Sequence, residues 1–137
     1  MRFIIFVFIC LFCTTSAHAT MVELPIEEVM SSRLAKQNLT SDIQFHFGKQ
    51  RQNGKEIGTW VSNKKTNKVG KGTKESCYRA FVSAMISLQN RALKENGSKV
   101  VNIHSYYKKV PFYSDEYFKC EVGNLMSGVA LRGTVLE

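Results

Sequence analysis

Beyond residue 19, three kinds of side chain in this sequence could do chemistry: two histidines, two cysteines and a cluster of lysines. An imidazole serves as a metal ligand or as a proton carrier near neutral pH. His46 and His104 are expected on the solvent side of their strands, near Gln44, Asn102 and Tyr106, so the two rings could share a face. No third ligand stands at a recognisable spacing from either, so neither a metal nor a cofactor is expected. A free Cys77 would supply a nucleophile, but no Cys-x-x-Cys pair accompanies it. A Gly-x-Ser-x-Gly elbow is absent, and Gly70-Lys71-Gly72-Thr73 falls short of the Gly-x-x-x-x-Gly-Lys-Ser/Thr phosphate loop. No enzyme is expected from these residues.

The lysines are the strongest chemical feature. Between Lys49 and Arg79 nine basic residues face only Glu56 and Glu75, within a chain of net charge +8. Lys64, Lys65, Lys68, Lys71 and Lys74 form the centre of this segment and are the candidate anion-binding residues. A basic stretch beside Trp60 suits an anionic glycan, lipid headgroups or an acidic protein. The competing reading is a solvated loop that keeps the protein soluble. Nucleic acid is not an expected partner of an exported protein.

The first nineteen residues differ from the rest. One positive charge at Arg2 precedes an unbroken apolar run from Phe3 to Cys13, then Thr14-Thr15-Ser16 and the small-x-small sequence Ala17-His18-Ala19. That layout is expected of a secretory signal peptide cleaved near Ala19. Eleven apolar residues are too few for a bilayer core, which takes about 20. Cys10 follows Ile9 and Cys13 follows Phe12, so neither sits behind the small residue a lipid-attachment site requires. The expectation is a soluble periplasmic or secreted bacterial protein without a transmembrane segment. Removing residues 1–19 leaves 118 residues, carrying eighteen basic and eleven acidic side chains, and two cysteines. In an oxidising compartment the default is a Cys77–Cys120 disulfide.

Residues 20–137 read as a single α+β domain: hydrophobic residues are 44% of the chain and charged residues 22%, a globular balance. Pro25 to Gln37 predicts a helix, with Pro25 at the first position and Glu27 and Glu28 in the first turn. Asp42 to Phe47 alternates, with Ile43, Phe45 and Phe47 on one side, and Glu56 to Asn63 predicts a second strand. Lys64 to Lys74 reads as a mobile connection. Lys74 to Glu95 predicts a long helix capped by Thr73, with Cys77, Phe81, Ala84, Leu88 and Ala92 on one stripe. Strands follow at Lys99–Tyr107 (Val101, Ile103 and Tyr107 together), at Asp115–Val122 (Phe118, Cys120, Val122) and at Met126–Leu136 (Val129, Leu131 and Val135 inward). The order α-β-β-α-β-β-β predicts two layers, a mainly antiparallel sheet packed on one long helix.

Several segments carry a resemblance: Leu24-Pro25-Ile26, Phe45-His46-Phe47-Gly48, Val61 to Asn67, Val100 to Lys109 and Gly128 to Gly133, together with Cys77 and Cys120. The chain resembles a family of small exported bacterial proteins of unknown function often mislabelled as an excinuclease ATPase subunit. A looser resemblance, to the envelope stress sensor lipoprotein of the Rcs phosphorelay, concerns the fold alone. The expected function is an exported, non-enzymatic binding or interaction module that uses the basic segment 49–79. Two alternatives stand beside it: an enzyme or metal-binding protein using His46, His104 or a free Cys77, and a secreted factor directed at a host.

Overall fold

Strand β6 (Met126–Leu136) is the element on which the sheet is assembled. In the computed structural model, which describes residues 18–137, β3 (Glu56–Asn67) runs antiparallel along one edge of β6 for its whole length. The other edge is shared. β5 (Tyr117–Val122) pairs with the start of β6, and β4 (Lys99–Ser105) pairs with its second half, both antiparallel. β1 (Thr20–Pro25) extends the sheet beyond β5 antiparallel, and β2 (Gln44–Phe47) extends it beyond β4 in parallel. The result is a six-stranded sheet with one long helix, α3 (Thr73–Lys94), and two short ones, α1 (Ile26–Ser31) and α2 (Arg33–Asn38). The apolar run of the expected leader lies outside the described residues.

Helix α3 covers one face of the sheet because its apolar residues recur at helical spacing. Cys77, Phe81, Ala84, Leu88 and Ala92 are all buried, as the sequence pattern predicts. Phe81 is the centre of this layer, with ring centroids 4.3 Å from Phe118 and 6.1 Å from Phe47. Val129, Leu131 and Val135 of β6 complete the core. The helix ends where Asn96 turns left-handed (φ 56°) and the Gly97 N–H bonds the Ala92 carbonyl at 2.8 Å. A Cβ on Gly97 would stand 2.3 Å from Val135 Cγ1, so only glycine fits between this turn and β6.

The α+β class holds, but the element order differs from the expectation in four places. Thr20–Pro25 is a strand, with Val22 and Leu24 packed on the core and Met21 exposed. The first helix is two helices broken at Ser32, whose extended backbone (φ −67°, ψ 154°) closes α1 and opens α2. Its hydroxyl donates to the Val29 carbonyl at 2.6 Å and accepts from the Ala35 N–H at 3.2 Å, so one side chain serves both helix ends. Lys64 to Asn67, expected in a mobile connection, belong to β3 because β6 offers partners as far as Met126. Finally, β2 is parallel to β4 while the other four strand pairings are antiparallel.

A bulge in β4 decides which of its side chains reach the core. Asn102 adopts φ 52°, and the pairing with β6 shifts between Val101 and His104. An extra residue re-aims the side chains beyond it. Val100 and Ile103, rather than Val101 and Ile103, therefore face the core, and His104 is directed to the opposite face.

Candidate functional site

Cys77, in the first turns of α3, is bonded to Cys120 of β5, with Cα atoms 5.9 Å apart. Both residues are fully buried. The pair staples helix to sheet, as their positions on the two apolar faces predict, and it leaves no free thiol at Cys77 for nucleophilic chemistry.

The five candidate lysines divide by environment. Lys64 and Lys65 sit at the end of β3, beside Val129 and Gly128 of β6, and both are exposed. Strand alternation sends them to opposite faces of the sheet. Lys68 donates from Nζ to the Gly123 carbonyl at 3.1 Å, and Lys71 donates to Asn67 Oδ1 at 3.0 Å. Lys74, in the first turn of α3, is ion-paired with Glu28 of α1 and lies 5.6 Å from the Tyr78 ring centroid. Its charge is compensated, so it departs from the cluster that the sequence suggests. The Lys74 ammonium also holds the Glu28 carboxyl below the usual carboxylate range. Burial pushes the Tyr78 phenol up to about 12, and the neighbouring Glu28 charge adds to the shift.

The lysines surround an apolar tip that sequence reasoning did not single out. Val69 is 75% exposed, Leu125 71% and Met126 42%. Val69 lies just beyond β3, and Leu125 is in the β5–β6 hairpin. The Lys68 N–H bonds the Leu125 carbonyl at 2.8 Å, and Asn67 pairs with Met126. The two loops are thus one hydrogen-bonded end of the sheet, with apolar side chains outward. The available signal was an apolar residue within two positions of a glycine in each turn, Val69-Gly70 and Gly123-Asn124-Leu125.

The second site lies on the sheet face opposite α3. A cleft of about 280 Å³ is lined by Lys49, Thr59, Asn102, His104, Tyr113, Arg132 and Thr134. The bulge at Asn102 delivers His104, and the outward register of β6 delivers Arg132, opposite it. Gly48 (φ 75°) approaches the Ser114–Asp115 backbone so closely that a Cβ would meet Asp115 N at 3.1 Å. That contact brings Lys49 over the Tyr113 ring, 4.4 Å from its centroid. Tyr113 stacks on His104 at 4.1 Å, Tyr106 meets His104 edge-on at 6.0 Å, and Arg132 lies 5.0 Å from the Tyr106 centroid.

His104 is 6% exposed. Its Nδ1 is 2.6 Å from the Asn102 carbonyl, so the neutral ring carries its hydrogen there, and Nε2 is buried without a partner. Burial pushes its pKa down, the Asn102 bond works in the opposite sense, and the charges of Arg132 and Lys49 lower it further. No acidic residue lines the cleft, and among the described residues neither cation has a carboxylate within 4.0 Å. His46 lies on the same side of the sheet, since Phe45 and Phe47 pack on the core, and its Nε2 is likewise buried without a partner. Among the described residues no three histidine, cysteine or acidic side chains converge as metal ligands.

No family model, no curated protein and no solved structure matches the chain. Among the described residues no helix is long and apolar enough to cross a membrane.

Proposed function

We propose that the protein is an exported, non-enzymatic binding module that docks reversibly on an anionic bilayer surface through the end of β3 and the β5–β6 hairpin. One observation carries the reading: Val69 and Leu125, the two most exposed large apolar side chains among the described residues, share a hydrogen-bonded tip with lysines. A lysine cluster alone would suit a soluble glycan or an acidic protein equally well. Apolar tips between lysines suit a surface with charged headgroups above a hydrocarbon layer. Lys64 and Lys65 are placed to stay among headgroups while Val69 and Leu125 enter the interface. Each lysine near such a surface contributes about 1 kcal/mol, and each buried Val or Leu side chain about 1.5–3 kcal/mol. The sum describes weak, salt-sensitive attachment. The export part of the proposal is supported by the leader pattern of residues 1–19 and by the disulfide, which is characteristic of oxidising compartments.

Co-sedimentation of the purified protein with lipid vesicles tests the reading. Binding is expected to vesicles rich in phosphatidylglycerol, not to pure phosphatidylcholine, and to decline with salt. The double variant Val69→Ser/Leu125→Ser should lose most of it while keeping the fold, since both residues are exposed. Equal retention of that variant, or binding only to an anionic polysaccharide, would transfer the lysines to a glycan or protein partner.

A further inference from the structure

The cleft on the open sheet face stands apart from the tip. Thr59 and Thr134 mark the cleft on β3 and β6, and Asn67 and Met126 mark the tip on the same strands. Eight residues of strand separate them, or about 26 Å at ~3.3 Å per residue. The two surfaces can therefore succeed or fail independently in experiment.

Lys49 and Arg132 converge on the cleft from a loop and a strand, each held against a tyrosine ring, with no carboxylate lining it. Two cations beside a buried imidazole concentrate positive charge in the cleft. Folding has enclosed His104 while leaving Nε2 without a partner, and a buried polar atom in that state is costly. We propose that this cleft binds a small oxyanion, a carboxylate or phosphate group, between Lys49 and Arg132, and that binding loads a proton onto His104 Nε2.

The proton is a consequence of the tautomer. With Nδ1–H donated to the Asn102 carbonyl, Nε2 of the neutral ring is an acceptor and offers an anion nothing. An anion between the two cations offsets their field at the imidazole and favours the charged ring. The proton comes from solvent, Nε2 becomes a donor, and no bond between heavy atoms is made or broken. The charged and titratable groups around His104 are Lys49 from the loop after β2, Arg132 from β6, and Tyr106 and Tyr113 from the segment between β4 and β5. Asp115 lines the adjoining cleft on the other side of Lys49 and Tyr113. His104 is thus the group that makes binding pH-dependent, tighter as pH falls.

Calorimetric titration with inorganic phosphate and, separately, with succinate tests the proposal, at about pH 5.5 and about pH 7.5, on either side of the ordinary imidazole value. At least one probe should bind, with affinity rising about tenfold or more at the lower pH. Which of them binds distinguishes a phosphate from a carboxylate ligand. Arg132→Gln and Lys49→Gln, both at solvent-reachable positions, should each weaken binding at least tenfold. His104→Gln should remove the tightening at the lower pH, leaving only the change that comes from the probe's own ionisation. Because that variant changes a buried residue, the His104 ring is also followed by NMR in the unaltered protein, where saturating ligand should raise its titration midpoint. Absence of binding by both probes overturns the proposal. So does binding that survives Arg132→Gln and Lys49→Gln, or a His104 midpoint that ligand does not move.

Discussion

The hydroxyls of Ser76 and Ser127 meet at 2.7 Å where the first turn of α3 lies against the start of β6, and both side chains are fully buried. Ser76 Oγ also donates to the Thr73 carbonyl at 3.0 Å, so between the two serines it is Ser127 that donates and Ser76 that accepts. The two ends of this bond are therefore unequal. Ser127→Ala leaves Ser76 with its carbonyl partner and should cost about 0.5–1.5 kcal/mol. Ser76→Ala strands a buried O–H on Ser127 and should cost about 1–3 kcal/mol. The double variant should lose less than the two singles together, a non-additivity that urea unfolding of all four proteins measures. Strict additivity would mean that the hydroxyls do not depend on each other.

The Cys77–Cys120 bond closes a loop of 43 residues between helix and sheet. In the chain-entropy model a link of that span stabilises by ~4 kcal/mol, an upper figure because strain subtracts. Cys77→Ala/Cys120→Ala should therefore lower the unfolding midpoint strongly, and a reductant should do the same to the unaltered protein while leaving the alanine variant unchanged. Thiol alkylation before unfolding should label neither residue. Labelling of both in the native protein, with unchanged stability, would show that the link contributes nothing to the fold.

Legibility in the sequence tracked periodicity. The stripe of Cys77, Phe81, Ala84, Leu88 and Ala92 and the alternation of Val129, Leu131 and Val135 repeat often enough to declare helix and strand. Thr20–Pro25 alternates as well, but Pro25 with Glu27 and Glu28 reads more strongly as a helix start, and the pairing with β5 that decides the matter is tertiary. The bulge at Asn102 has no periodic signature, because a single left-handed non-glycine residue shifts the register without changing composition. The oxyanion cleft shares that difficulty. Lys49, His104 and Arg132 come from three distant parts of the chain, and nothing local to any one of them announces the other two. The basic segment was legible as a charge excess but not as a partition into free and paired lysines, since the Glu28 that neutralises Lys74 stands on another helix.

That partition is measurable in vesicle binding. Lys64 and Lys65 face solvent at the end of β3, while the Lys74 ammonium is already ion-paired to the Glu28 carboxylate. Lys64→Gln and Lys65→Gln should each reduce affinity for anionic vesicles about fivefold, the equivalent of ~1 kcal/mol per surface lysine. The double variant Lys74→Gln/Glu28→Gln should change it by less than about twofold, because the pair it removes carries little net charge to the surface. If that double variant weakens binding as much as the other two, attachment does not depend on the tip.

Tyr78 provides a reading of the contact between α1 and α3 that does not depend on any ligand. Burial raises its phenol to about 12, and the Glu28 charge contributes to the rise. For a group whose folded value is raised, folding favours the protonated form. The associated stability is fully present below the ordinary tyrosine value of ~10 and disappears as pH climbs toward the folded value. Spectrophotometric titration of the five tyrosines should therefore show one late component, absent in Tyr78→Phe. In Glu28→Gln that component should move to lower pH, because the neighbouring negative charge is gone. Between about pH 10 and about pH 12 the unaltered protein should lose stability faster than Tyr78→Phe, the difference isolating the contribution of this phenol. A tyrosine titration with no late component, or one that Tyr78→Phe leaves in place, would remove the α1–α3 contact as its cause.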